Sequence, residues 1–272
     1  MKRLLTQIGL GLFTLTILVP IAWVLVSSVK AGDRIVAEPW SPPRQLHWEN
    51  FGHAWDQAGI GGALLNSLVV TLGSLAILLP VGAMAAYVLA RYKFRGSKAI
   101  LFTFTSGMMF PNFLVIVPLY FLLTSLGLLD TRIGLIIVYV AYSLSFTIFV
   151  LSGFFQALPG ELAEAAMIDG CGHTSTFWRI MLPLAKPGMI VVGIFNAIGL
   201  WNEYALALVV VPSKENYTLP IGIANLVMTQ QYQSDWGALF AGLVIVMLPV
   251  LAVYWMFKDK IHETMLAGAV KG

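Results

Sequence analysis

Six long apolar runs, at residues 4–29, 64–90, 99–124, 133–155, 188–211 and 237–257, alternate with short polar stretches. Each run reaches the roughly 20 residues that a helix needs to cross the hydrocarbon of a bilayer. None alternates with a period of two, as barrel strands do. Backbone groups in lipid must also satisfy one another, so the runs predict helices. The expected fold is all-α and integral to a membrane: six transmembrane helices in a single domain, residues 1–272. The first run is longer than the roughly 7–15 residue core of a secretory signal, and no A-x-A site follows it, so it is read as a retained helix.

The polar stretches differ in character. Residues 30–62 carry Pro39, Pro42 and Pro43, which break helix, followed by Trp48 and Trp55. Two readings are open there: a segment lying at the headgroup level, or an ordered loop. Residues 125–132 read as a tight turn. Residues 212–236 hold Tyr217, Tyr232 and Trp236, which suit either a lid or docking surface or simple interface anchors. The stretch 158–188 is different again. Pro159 ends the fourth run, and Glu161 to Ala166 are mostly strong helix formers with two acids at the favourable end. Asp169-Gly170 stops that helix, Gly170 taking a left-handed cap. Thr174 or Ser175 is placed to cap a second helix, Phe177 to Leu182, which Pro183 and Pro187 terminate.

Composition agrees with the pattern. The chain is 58% hydrophobic and 11% charged, with mean hydropathy +0.84, too apolar for a water-soluble domain. Its 16 Lys and Arg residues divide eleven to five if the N-terminus is cytoplasmic, which places both termini inside. The cluster Arg91, Lys93, Arg95 and Lys98 weighs most because its loop is short. The basic pI near 9.0 follows from that bias and does not call for nucleic acid. Lone Cys171 permits no internal disulfide, and no metal-ligand spacing is present, with His47, His53, His173 and His262 scattered through the polar stretches.

The ordered series Glu164-Ala165-Ala166-Met167-Ile168-Asp169-Gly170, then Phe177, Leu182-Pro183 and Pro187, resembles the coupling loop of ABC importer permeases. A bare amphipathic loop resting on headgroups is the alternative, and the composite motif argues against it. The resemblance extends over nearly the whole chain. Asn66-Ser67-Leu68, Ala85-Ala86-Tyr87, Leu89-Ala90-Arg91, Pro118-Leu119-Tyr120, Gly127-Leu128-Leu129-Asp130-Thr131, Trp201-Asn202-Glu203-Tyr204 and the tail Gly268-Ala269-Val270-Lys271-Gly272 look like the carbohydrate branch. Together they resemble the shorter, six-helix membrane subunit of maltose-type sugar importers. Cys171 stands where a small Ala is common.

That resemblance implies a non-catalytic subunit in a bacterial or archaeal cell membrane. The implied partners are a second, different permease, two copies of an ATP-binding subunit, an extracytoplasmic sugar-binding protein and membrane lipid. A coupling loop at about 156–187 would dock the ATPase through Glu164, Ala165, Ala166, Met167, Asp169, Gly170 and Phe177. No G-x-x-x-x-G-K-[ST] loop is present, which fits ATP and magnesium being used by a partner, with no cofactor bound by this chain.

Within the runs, Glu203 is the oddity, a carboxylate read near the middle of the fifth span. A charge at that depth costs roughly 2.5–3.5 kcal/mol by insertion scales, so it should face protein or water. Gly193, Asn196 and Gly199 share its side of the helix, and Asn202 points away. Asn196 and Glu203 suit either a wet pathway accepting sugar hydroxyl protons or a structural hydrogen bond to a neighbour. Tyr139, Tyr142, Ser143 and Phe146 form a stripe on the fourth span, open between sugar contact and packing. Asn66, Ser67, Thr71 and Ser74 are weaker pathway candidates.

Competing classes fare worse on the same residues. A membrane enzyme needs clustered Asp, His, Ser or Lys, and Glu203 is nearly alone. A proton-coupled carrier could use Glu203 but has no need of the 158–188 loop. Within the importer reading, phosphorylated polyols or amino sugars are alternative solutes.

Overall fold

The computed structural model describes residues 2–233 and 235–269, with side chains at 3–111, 113–228 and 235–258. The Tyr232 side chain and tail residues 270–272, both named above, lie outside that detail. Among the described residues the structure is helical, without strands.

Four of the six apolar runs are single long helices: α1 (Lys2–Ser27), α4 (Ile60–Arg91), α7 (Arg132–Ala157) and α14 (Trp236–Ala269). All four contain stretches long and apolar enough to cross a bilayer. The other two runs are broken, contrary to the sequence expectation of continuous spans. The third is α5 (Ser97–Gly107) followed by α6 (Asn112–Ser125). Pro111 explains the break. Its ring would collide with the carbonyl four residues back, at Gly107, where α5 ends, and it drives Phe110 out of the helical region.

The fifth run is α11 (Lys186–Trp201) and a short α12 (Ala205–Val210), with Asn202, Glu203 and Tyr204 between them. Ahead of α11 stand α8 (Glu161–Ile168), α9 (His173–Thr176), a wide helical turn at Phe177–Met181 and α10 (Leu182–Leu184). The stretch His173–Leu184 meets Lys186–Trp201 at a bend of 74°. Pro183 therefore sits inside the helical stretch, and the chain turns at Ala185, ahead of Pro187. The expected cap at Thr174 or Ser175 is absent. Both lie inside α9, which begins at His173, ahead of the expected start at Phe177, with no side-chain cap.

The chain gathers into two compact units, Met1–Leu65 with Thr218–Ala252 and Asn66–Tyr217 with Val253–Gly272. In the first, the segment after α1 contains α2 (Gly32–Ala37), α3 (Glu49–Gly52) and a wide turn at His53–Gln57. Two buried polar side chains fasten it. Asn50 Nδ2 donates to the carbonyls of Ser28 and Lys30 at 3.0 and 2.9 Å. Lys30 Nζ, 2% exposed, donates to the carbonyls of Glu38 and Ser41 at 2.8 and 2.9 Å and lies 3.3 Å from that of Pro39. Trp23 packs edge-on against Phe240 and donates its indole N–H to Pro39. The 212–236 stretch, read as loop, contains α13 (Leu219–Gln233).

In the second unit, the core joins the ends of α4 and α7 to the 158–188 stretch. Ala83, Ala86, Tyr87, Leu151, Phe155, Phe177, Met181 and Val192 are buried together. The motif residues Gly127 to Thr131 form a locked turn. Gly127 has φ +66° and Asp130 φ +56°. Thr131 Oγ1 caps α7 by accepting from Gly134 N at 2.9 Å. A Cβ at Gly134 would fall 2.2 Å from the Leu128 carbonyl oxygen, so only glycine fits. Asp130 Oδ1 accepts from Ser213 N at 3.2 Å and Asn216 Nδ2 at 3.3 Å. Burial pushes the Asp130 carboxyl up, but those hydrogen bonds together outweigh it and hold it below the ordinary range.

Candidate functional site

Two places in the second unit collect the candidate residues. The first is a cavity of about 330 Å³ between the end of α5, the middle of α7 and the end of α11. Tyr142, Ser143 and Phe146 reach it from α7, Asn196 and Gly199 from α11, and Glu203 from the break that follows. Of the pathway candidates, Asn196, Glu203, Tyr142, Ser143 and Phe146 thus converge. Tyr139 and Asn66 do not line it. Tyr139 is 1% exposed and lies beneath Glu203. Asn66 is buried elsewhere, its Nδ2 donating to the carbonyls of Glu215 and Tyr217 at 2.8 and 3.0 Å. Asn66 therefore anchors the loop before α13.

Glu203 lies in the non-helical break between α11 and α12, which corrects its reading as a mid-helix residue. The break follows from the side chain itself. Oε1 accepts from Leu206 N at 2.8 Å, and Oε2 from Ala207 N at 3.0 Å. By taking the first free amides of α12, the carboxylate offers the backbone a terminus in place of a continuous helix. Tyr139 donates its hydroxyl to Oε2 at 2.9 Å. Three donors from two elements thus meet one carboxylate, pinning the break to α7.

Asn196 is held similarly. Its Nδ2 donates to Thr147 Oγ1 at 3.0 Å and Val192 O at 2.9 Å, which leaves the amide oxygen as its acceptor for the cavity. Aromatic faces of Tyr142, Phe146 and Phe195 with the polar ends of Ser143, Asn196 and Glu203 can take both faces and hydroxyls of a polar ring. Sequence reasoning missed the lining from Gly107, Met108, Phe110 and Ser145. The signal was Pro111 four residues after Gly107. A Cβ at Gly107 would lie 2.8 Å from Ser145 Oγ, so glycine admits α7 to this wall.

The second place is the α8–α9 loop. Gly170, with φ +86°, ends α8 as expected. Cys171 N bonds Ala166 O at 2.9 Å and Gly170 N bonds Met167 O at 3.1 Å, the paired bonds of a Schellman cap. Glu164, Ala165, Met167, Asp169 and Gly170 are exposed, as is Ile168 at 86%. The other two residues assigned to docking, Ala166 and Phe177, are 4% and 5% exposed and lie in the loop's base, not on its presented surface.

The Phe177 ring sits 5.2 Å from Tyr87 of α4 and 6.3 Å from Phe155 of α7. Tyr92 Oη pairs with His173 Nδ1 at 2.9 Å, and the Arg91 guanidinium donates to the Leu158 carbonyl. The loop is therefore keyed to the ends of two long helices. Among the described residues no cluster of three or more His, Cys, Asp or Glu side chains could hold a metal.

Comparison with known proteins bears on both places. Residues 78–258 match the family described as "Binding-protein-dependent transport system inner membrane component". The chain is 43% identical over 260 residues to the diacetylchitobiose uptake system permease protein NgcG of Streptomyces coelicolor, covering 96% of this chain and 86% of that one. It is 31% identical over 255 residues to the trehalose transport system permease protein SugB of Mycobacterium tuberculosis, covering 94% and 93%. In fold it is similar to a chain from the crystal structure of a bacterial ABC transporter involved in import of the acidic polysaccharide alginate. There the TM-score is 0.79 at 24% identity, over 94% of this chain and 95% of the other.

Proposed function

The chain belongs to the binding-protein-dependent transport system inner membrane components, and from that premise we propose that it is the permease subunit of an ATP-driven sugar importer, forming half of the translocation pathway. It is a transporter subunit and not an enzyme. Its sugar class rests on relatives named for diacetylchitobiose and trehalose uptake. The observation that carries the coupling role is the rigid seating of an exposed loop. Ile168, Met167, Asp169 and Gly170 stand outward, while Phe177 locks the base to Tyr87 of α4 and Phe155 of α7.

In this reading α8 docks into a separate ATPase subunit, present twice, and a second, different permease completes the pathway. An extracytoplasmic binding protein delivers the solute. The membrane is crossed six times with both termini inside, the third and fifth crossings being broken helices. The two breaks, at 108–111 and 202–204, both supply residues to the cavity. A broken span exposes backbone and polar side chains at membrane depth only where they line a cavity or contact protein, which supports a solute path there.

Movement of the ATPase pair would push α8, turn the helices joined through Tyr87 and Phe155, and open the cavity to the other side. Uptake of labelled oligosaccharides into liposomes holding the whole complex, with ATP inside and no proton gradient, tests this. Uptake should need both the ATPase and the binding protein. Uptake that persists without ATP would sink the proposal.

A further inference from the structure

A concave site in the first unit has no place in the transport scheme. The segment following α1 folds around a cavity of about 270 Å³ whose wall includes Lys30, Arg34, Arg44 and His47, with Pro42 and Pro43 between them. Among the described residues the ion pairs are His47 with Glu49 at 2.5 Å and His53 with Asp235 at 3.6 Å. Neither arginine therefore has a carboxylate partner, although Asp33 and Glu38 are near in sequence. Lys30 is the more telling group. It is 2% exposed, and every partner of its Nζ is neutral: the carbonyls of Glu38, Pro39 and Ser41, with Ser41 Oγ 3.4 Å away. Carbonyl dipoles satisfy the protons but not the net charge, and a buried cation without a counter-ion is unfavourable. Lys30, Arg34 and Arg44 line one hollow, which offers that counter-ion a site.

We propose that this hollow binds a phosphate group, that of an anionic phospholipid headgroup. Its place along the chain selects lipid. Lys30 follows the end of α1 by three residues, and α1 is an apolar helix with none of its spanning window buried. The site thus lies where the hydrocarbon gives way to headgroups. Val36, Trp40, Leu46 and Trp48 of the same segment are 57–76% exposed, the composition of an interfacial belt. Two guanidiniums offer paired N–H donors to phosphate oxygens, and Lys30 adds field without needing to move. The volume suits a headgroup and not a whole lipid. The inference rests on the membrane-spanning reading and is independent of which solute is carried.

The test is a thermal-stability titration of the purified complex in neutral detergent, at constant ionic strength, with short-chain phosphatidylglycerol, phosphatidylcholine or inorganic phosphate. Phosphatidylglycerol should raise the melting temperature and phosphatidylcholine should not. Arg34→Gln and Arg44→Gln should each weaken half-saturation about fivefold, as roughly 1 kcal/mol per interfacial charge implies. Arg44 is exposed, so its variant keeps the fold. A control variant, Lys93→Gln with Lys98→Gln, should respond as the wild type does.

Equal stabilisation by inorganic phosphate would identify a free-anion site and overturn the lipid assignment. An unchanged response in both arginine variants, or equal loss in the control, would overturn the site itself. If the arginine variants kept the lipid response but lost stimulation by the binding protein, the hollow would be a protein contact and the proposal would fail.

Discussion

Replacing Glu203 discriminates between a pathway carboxylate and a structural pin with sharp expectations, because all three of its partners are donors. A carboxylate accepts only, whereas a glutamine amide brings two donors of its own. If Gln places its oxygen toward Ala207 and Tyr139, its NH2 faces Leu206 N. In the reverse orientation it faces Ala207 N. Either way one backbone amide loses its acceptor, which costs about 1–3 kcal/mol. Tyr139→Phe removes only the hydroxyl. Hydrogen bonds between membrane helices average about 0.6 kcal/mol, and charge assistance roughly doubles that, so this change costs about 1–2 kcal/mol.

Glu203→Leu strands two amides and the Tyr139 hydroxyl, a loss of about 3–8 kcal/mol if those terms add. Water in the adjoining cavity can serve some of them, which favours the lower end. Melting of the purified complex should therefore fall in the order Tyr139→Phe, Glu203→Gln, Glu203→Leu. Sugar uptake driven by ATP without a proton gradient should persist in Gln at a reduced level and suffer most in Leu. A Gln variant that melts and transports as the wild type would refute the stranded-amide reasoning. Uptake that strictly needs a proton gradient and vanishes in Gln would overturn both the structural role and the ATP-driven reading.

The loop offers a paired test: Gly170→Val strains a left-handed cap with open space around it and should lose about 1 kcal/mol or more of local order, reducing ATPase retention with the core intact. Phe177→Ala removes a buried ring and should cost about 3–5 kcal/mol, lowering complex stability as well as sugar-stimulated hydrolysis. Ala166→Arg should act like Phe177→Ala, since that side chain faces the loop's base; normal assembly and stimulation in all three would remove the docking role. Single cysteines at Ser97 and Lys214 should label from opposite sides of the membrane, and labelling from one side would refute the topology. Asp130 is held below its ordinary value of 3.8, so its contribution is complete above that pH and lost as pH falls through the lowered value. Wild-type melting should drop below about pH 3.8 more steeply than that of Asp130→Asn, which tolerates positive φ without the titrating group, and parallel curves would count against the turn lock.

Much of the site was legible without coordinates because it depends on local backbone chemistry. Gly170 after Asp169 specifies a left-handed stop whatever surrounds it. The stripe Tyr142, Ser143 and Phe146 with Asn196 and Glu203 could be collected by helical period alone, since residues near-multiples of 3.6 apart share a face in any helix. What escaped was the placing of breaks inside apolar runs. Pro111 and Glu203 were visible as residues, yet hydropathy averages over them, and the run continues as if they were silent.

The chain's apolar runs were enough to assign an all-α membrane protein with a polar stretch between the fourth and fifth runs, because solvation by lipid acts on each segment separately. Which side of a residue is presented to a partner is a different matter, since it depends on what packs behind it. Tertiary structure turned Phe177 inward against Tyr87 and Phe155, buried Ala166 and drew Asn66 away to the carbonyls of Glu215 and Tyr217. It also tied the break at Glu203 to Tyr139 of α7 and enclosed Lys30 in the carbonyl oxygens of Glu38 and Ser41. The hydrogen bonds that place Lys30 and Asn66 join groups 8 to 151 residues apart, and the one that ties Glu203 to Tyr139 spans 64. No local rule reaches that far, and only the folded chain, by bringing donor to acceptor and ring to ring, decides them.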